Sequence, residues 1–190
     1  MSDLNDRLNK ILPRITSDDF LGSKGLGNEI PFYIFDYPPE EELRVREHIG
    51  FLLKHLPKQK PGLRLKHINL FEFVLEYLND RNLLDKALAM QREKGDEALK
   101  KALAGPLQET KLAPLFAAAV QPSDHDLILV SGVGTVWPVL RSPTLLNNLQ
   151  PVTGNTPLVM FYPGRYDGQF LRLFGRLQSS PYYRAFRLVL

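Results

Sequence analysis

Ser131, Gly132, Gly134 and Thr135 are the residues best placed to do chemistry, because they follow the apolar run Leu127–Val130 and precede an amphipathic stretch. A glycine turn between strand and helix can cradle a phosphate with its backbone N–H groups. Phosphoryl transfer needs more than that turn. A GxxxxGK(S/T) loop supplies a Lys for the terminal phosphates and a hydroxyl for Mg²⁺, yet the first basic residue after Val130 is Arg141. The other glycine loop, residues 22–27, carries Lys24 but precedes a strand instead of following one. Against the dinucleotide pattern GxGxxG, Gly132 and Gly134 fit and Trp137 takes the third position. A ring there blocks the close helix–strand contact that glycine permits. The turn is expected to redirect the chain, and no cofactor is predicted.

The remaining titratable groups make no stronger set. Glu41, His48 and His55 stand seven apart on one predicted helix, but two turns separate neighbours by about 10 Å, too far to share a metal ion. Asp124-His125-Asp126 reads as a solvated turn before a strand. Ser131 lacks a GxSxG elbow. Asp36 ends the first strand, where α/β folds place ligands, but alone it names no reaction. No catalytic or metal-ligating residue is predicted.

Rings and arginines interleave in the C-terminal third, first in Phe161-Tyr162-Pro163-Gly164-Arg165-Tyr166 and again in Tyr182-Tyr183-Arg184-Ala185-Phe186-Arg187. From Arg141 onward there are six Arg, one Asp, and neither Lys nor Glu. Such a segment fits a protein interface, where Tyr, Trp and Arg dominate binding energy. It also fits single-stranded nucleic acid, with rings on bases and Arg on phosphates. A strand with alternate rings buried is the third reading.

These residues must be held by elements that the patterning outlines. Strands are predicted at 30–37, 63–70, 127–130, 157–162 and 182–190, and helices at 3–13, 40–56, 110–120, 135–150 and 168–177. A long helical tract over 69–105 is broken near Gly95. Strands alternating with helices predict an α/β three-layer sandwich on a largely parallel sheet of about five strands. Residues 1–190 are read as a single α/β domain, with 69–120 as a helical insertion inside it. At 190 residues, 44% apolar and 24% charged, the chain can bury a full core. With no Cys there are neither disulfides nor thiolate sites. The N-terminus lacks the apolar core of a signal peptide, which predicts a cytoplasmic protein.

Four stretches carry a family resemblance: 30–49, 131–150, 157–177 and 182–189, with VWPVLRSPTLLNNLQ and FYPGRYDG its most distinctive strings. The sequence resembles the BrxB family of bacterial BREX phage-defence systems. Pro143 stands where the family pattern leads one to expect His. The resemblance implies a non-enzymatic adaptor bridging the ATPase-like and PglZ-type phosphatase-superfamily components, with a nucleic-acid-binding subunit as the alternative. The expected partner-binding residues are Trp137, Arg141, Tyr162, Arg165, Tyr166, Tyr182, Tyr183, Arg184 and Arg187.

Overall fold

The computed structural model describes residues 4–22, 31–140, 142–178 and 185–190. Its frame is a parallel sheet, β1 (Phe32–Tyr37), β2 (Leu65–Asn69), β3 (Leu127–Ser131), β4 (Leu158–Tyr166) and β7 (Phe186–Arg187), in the order β2–β3–β4–β1–β7. β4 continues into an antiparallel hairpin with β5 (Leu171–Leu173) and β6 (Leu177–Gln178). The central strands read as unbroken apolar runs because helices cover both their faces.

Side-chain alternation along each strand divides the core in two. Phe32, Ile34, Ile128, Val130, Leu158 and Met160 face one way. They pack on α4 (Leu70–Asp80), α5 (Leu84–Ala104), α6 (Glu109–Val120), α7 (Val133–Val136) and α8 (Ser142–Thr153) through residues such as Phe73, Leu103, Phe116, Val136 and Leu149. Tyr33, Phe35, Leu127, Leu129, Val159 and Phe161 face the other way. There they meet α1 (Leu4–Thr16), α2 (Asp18–Leu21) and α3 (Glu42–Gln59) through Ile11, Ile15, Phe20, Val45 and Leu52. The result is the three-layer α/β sandwich that the sequence predicts.

Residues 69–120 form α4, α5 and α6, which connect the neighbouring strands β2 and β3. Asn69 begins them: its side-chain oxygen accepts from the backbone N–H of Phe71 at 3.0 Å and caps α4. Gly95 breaks α5 with φ 79° and ψ 179°, a conformation essentially restricted to glycine. Leu84 and Ala87 before it and Leu99 and Leu103 after it all pack on the same core. Both arms of α5 therefore return to the body, and residues 91–97 form an exposed elbow.

Four sequence expectations are corrected. Residues 168–177, predicted helical, form β5, β6 and their connecting turn. Phe174 and Gly175 have φ of 54° and 70°, and Arg176 N–H donates to the Leu173 carbonyl at 3.1 Å. Positive φ at both central positions is the type I′ hairpin pattern. The fourth strand runs on through Pro163-Gly164 to Tyr166, four residues beyond its predicted end. The helix expected after the glycine turn is split into α7 and α8, with Pro138 between them unable to donate a backbone hydrogen bond. Pro13 and Pro57 do not stop their helices, which continue to Thr16 and Gln59. Buried Ile15 and Leu56 hold those last turns against the core.

Candidate functional site

The glycine turn is filled by the protein itself. Gly132 has φ 76°, and a Cβ on it would collide with the Asn69 side-chain oxygen that caps α4. A Cβ on Gly134 would lie 2.9 Å from Pro163 Cγ and 3.1 Å from the Phe174 ring. Both glycines serve close approach, one to the edge strand and one to the hairpin. The helix that follows is only four residues long.

Asp36 is engaged just as fully. Arg7 Nη2 donates to Asp36 Oδ1 at 2.7 Å, and its Nη1 donates to the Asp36 carbonyl at 2.7 Å. The other carboxylate oxygen accepts from the Tyr166 backbone N–H at 2.9 Å. Tyr166 extends the network: its hydroxyl donates to the Ala185 carbonyl at 2.7 Å, and its own carbonyl accepts from the Arg187 guanidinium at 3.0 Å. α1, β1, β4 and β7 are thus tied together at the carboxyl end of the sheet.

His55, His67 and His125 bond to groups nearby, whereas His48 Nε2 is buried without a hydrogen-bond partner among the described residues. His67 Nε2 lies 2.9 Å from Ser131 Oγ, across β2 and β3. Burial pushes the His67 imidazole below its usual range, which favours the neutral ring. Ser131 is itself buried. Burial also lowers His48, which stacks in a row with Phe51 and His55 along α3. Asp126 accepts two guanidinium bonds and a backbone bond from Arg64, and these hold its carboxyl below the usual range. Among the described residues, no three His, Asp or Glu side chains are grouped to hold a metal ion.

The predicted binding residues divide sharply. Tyr162 and Tyr166 are 1% and 0% exposed, so they are core residues and offer no surface; β4 runs past its predicted end at residue 162 and turns both rings inward. Arg187 uses its guanidinium to brace the Tyr166 carbonyl. Arg141, Tyr182, Tyr183 and Arg184 lie outside the residues whose side chains are described. Trp137 and Arg165 are exposed.

Trp137 is 41% exposed, with its indole edge-on to Phe174 at 5.9 Å between centroids. Phe174 also lines an open cleft of about 450 Å³ with Pro39, Glu40, Arg176 and Leu177. Leu177 is 41% exposed. On the same hairpin Arg165 stands directly opposite Arg172, which pairs with Asp167 at 3.3 Å. Phe174, Leu177 and the Pro39–Glu40 wall were not anticipated. The readable signal is Phe174-Gly175 directly after the alternating run Leu171-Arg172-Leu173, a hairpin cue that competes with the helical reading of 168–177.

The sequence model of the family described as "BREX protein BrxB" matches residues 66–188. The chain is also 44% identical over 193 positions to the BREX protein BrxB of Bacillus cereus (strain H3081.97), covering all of this chain and 99% of that relative. The chain belongs to the BrxB family. The BREX protein BrxB of Escherichia coli O9:H4 (strain HS) is likewise 44% identical over 186 positions, with 98% of this chain and 92% of the relative covered. No solved structure matches the chain. As a BrxB protein it is a component of a BREX phage-defence system. The matched segment runs from β2 into the last strand, so it contains the glycine turn, Trp137 and the whole β4–β6 hairpin. No helix among the described residues is long and apolar enough to cross a membrane.

Proposed function

We propose that this BrxB protein is a non-enzymatic adaptor that joins the ATPase-like and PglZ-type components of its BREX system through the Trp137–Phe174 face. One observation carries the reading: Phe174, a bulky residue, is held at φ 54° beneath a half-exposed indole. Left-handed backbone at such a residue costs about 1–3 kcal/mol and persists where the surroundings enforce it, often at binding surfaces. The groups whose types suit chemistry are engaged elsewhere. Asp36 binds Arg7 and Tyr166, Ser131 bonds to His67, and the glycine turn abuts Asn69 and Phe174.

Co-expression of the tagged chain with both components, purification on the tag in high salt and light scattering of the eluate test this. A stoichiometric complex is expected, and Trp137→Ala is expected to abolish it while leaving the far-UV circular dichroism and melting of the isolated protein unchanged. Loss of fold in that variant would make Trp137 a core residue and defeat the reading.

A second reading, a nucleic-acid-binding subunit, is favoured by the exposed arginines of the same hairpin. It requires affinity that falls steeply with salt, and a flat salt response removes it.

A further inference from the structure

We infer that the segment docking on this face is a polypeptide stretch in which an apolar anchor residue is flanked by carboxylates. This deepens the adaptor reading and rests on it. The anchor is called for by the cleft. Phe174, Leu177 and Pro39 give it an apolar lining, and the half-exposed Trp137 packs on Phe174. A pocket that desolvates one apolar or aromatic side chain is where interface energy concentrates.

The carboxylates are called for by the hairpin. Arg165 and Arg172 are paired directly across β4 and β5, like charges that repel on the side of the ladder opposite Leu173 and Leu177, and Arg176 lines the cleft itself. Asp167 forms its ion pair with Arg172. Among the described residues neither Arg165 nor Arg176 has an ion-pair partner, although every other arginine of β4–β6 is neutralised. A carboxylate is the complement such guanidinium groups bind in bidentate fashion.

Nucleic acid fits this face less well. Glu40 lines the cleft, where an unbroken run of phosphates would meet it, whereas a polypeptide can change its charge from one residue to the next. Stacking of successive bases needs several rings in series, but Tyr162 and Tyr166 are buried, and among the described residues the rings at the cleft are Phe174 and the Trp137 packed edge-on to it. Glu40 instead favours a partner segment with a basic residue at that end.

The test uses the full-length chain co-expressed with the remaining proteins of its own defence cluster, with and without nuclease, in four forms: wild type, Trp137→Ala, Arg165→Glu/Arg176→Glu and Arg165→Lys/Arg176→Lys. The charge reversal is expected to cut recovered partner about tenfold or more, as reversal of paired interface charges does. The lysine variant is expected to retain most of it, and nuclease to change nothing. Both arginines are exposed, so melting curves of the variants should overlay the wild type. Loss with Trp137→Ala but retention with the charge reversal would overturn the acidic segment and leave the docking face standing. Retention in both variants would overturn the adaptor face as well. Loss of partner on nuclease treatment would overturn the inference in favour of nucleic acid.

Discussion

Asp36 stands at the carboxyl end of β1, the position at which a parallel sheet receives its ligands, and both of its carboxylate oxygens are taken by the chain itself. With Arg7 it forms a largely buried pair that joins the first helix to the sheet. Asp36→Asn puts an amide N–H where one oxygen accepted, facing either the guanidinium or the Tyr166 N–H. Breaking one side of such a pair is expected to cost about 2–3 kcal/mol in urea unfolding. A loss below about 0.5 kcal/mol would show that water satisfies Arg7 instead. At this scale the sequence was legible in part. It marked Asp36 as unusual, but its partners lie 29 and 130 residues away and no local pattern announces them. Tyr162 and Tyr166 misled for a related reason. Pro163-Gly164 between them reads as a loop, which would expose rings, whereas the backbone stays extended and buries both.

Elements were legible where periodicity is strong and illegible where one residue's backbone decides. The inner strands β1, β3 and β4 are dense apolar runs, and the helices between strands call for their parallel pairing. The run at 168–177 offers too few residues for a period to declare itself, and its strand character comes from positive φ at Phe174 and Gly175. Gly95 was recognisable as a breaker, but not as the elbow of two helices that both return to the core. Two substitutions separate those roles. Gly95 has open space around it, so Gly95→Ala meets no clash; it meets only backbone strain, and it should destabilise by about 1–2 kcal/mol. Gly50 lies on an exposed, regular turn of α3, also in open space, and Gly50→Ala should stabilise by about 0.5–1 kcal/mol. Thermal melts of the pair should move in opposite directions. If Gly95→Ala were neutral or stabilising, the elbow would be able to straighten into one helix.

Across the whole molecule, the two cores are closed at one edge by a strand that contains two residues. β7 pairs with β1 only at Tyr33–Phe186 and Ile34–Arg187, yet residues around it reach both layers: Ala185 belongs to the α4–α8 side, and Leu188 and Val189 to the α1–α3 side. Tertiary demand holds this strand in place far more than its length does. Its backbone is caught by Leu188 N–H on the Ile34 carbonyl at 2.9 Å and by the Tyr166 hydroxyl on the Ala185 carbonyl. Ending the chain after residue 184 removes two buried aliphatic side chains worth about 1.5–3 kcal/mol each. It also uncovers Tyr33, whose ring packs on Phe186 at 5.9 Å. The combined loss of about 4–8 kcal/mol is comparable with the entire stability of an ordinary domain, about 5–15 kcal/mol. The truncated chain is therefore expected to lose its cooperative melt or to aggregate, while removal of Leu190 alone, 81% exposed, should shift stability by less than about 0.5 kcal/mol. If the truncated chain melted like the full one, the Arg7–Asp36–Tyr166 network would be closing the sheet edge without β7. Arg7 and Asp36, not the last strand, would then be the residues that fix the fold at that end.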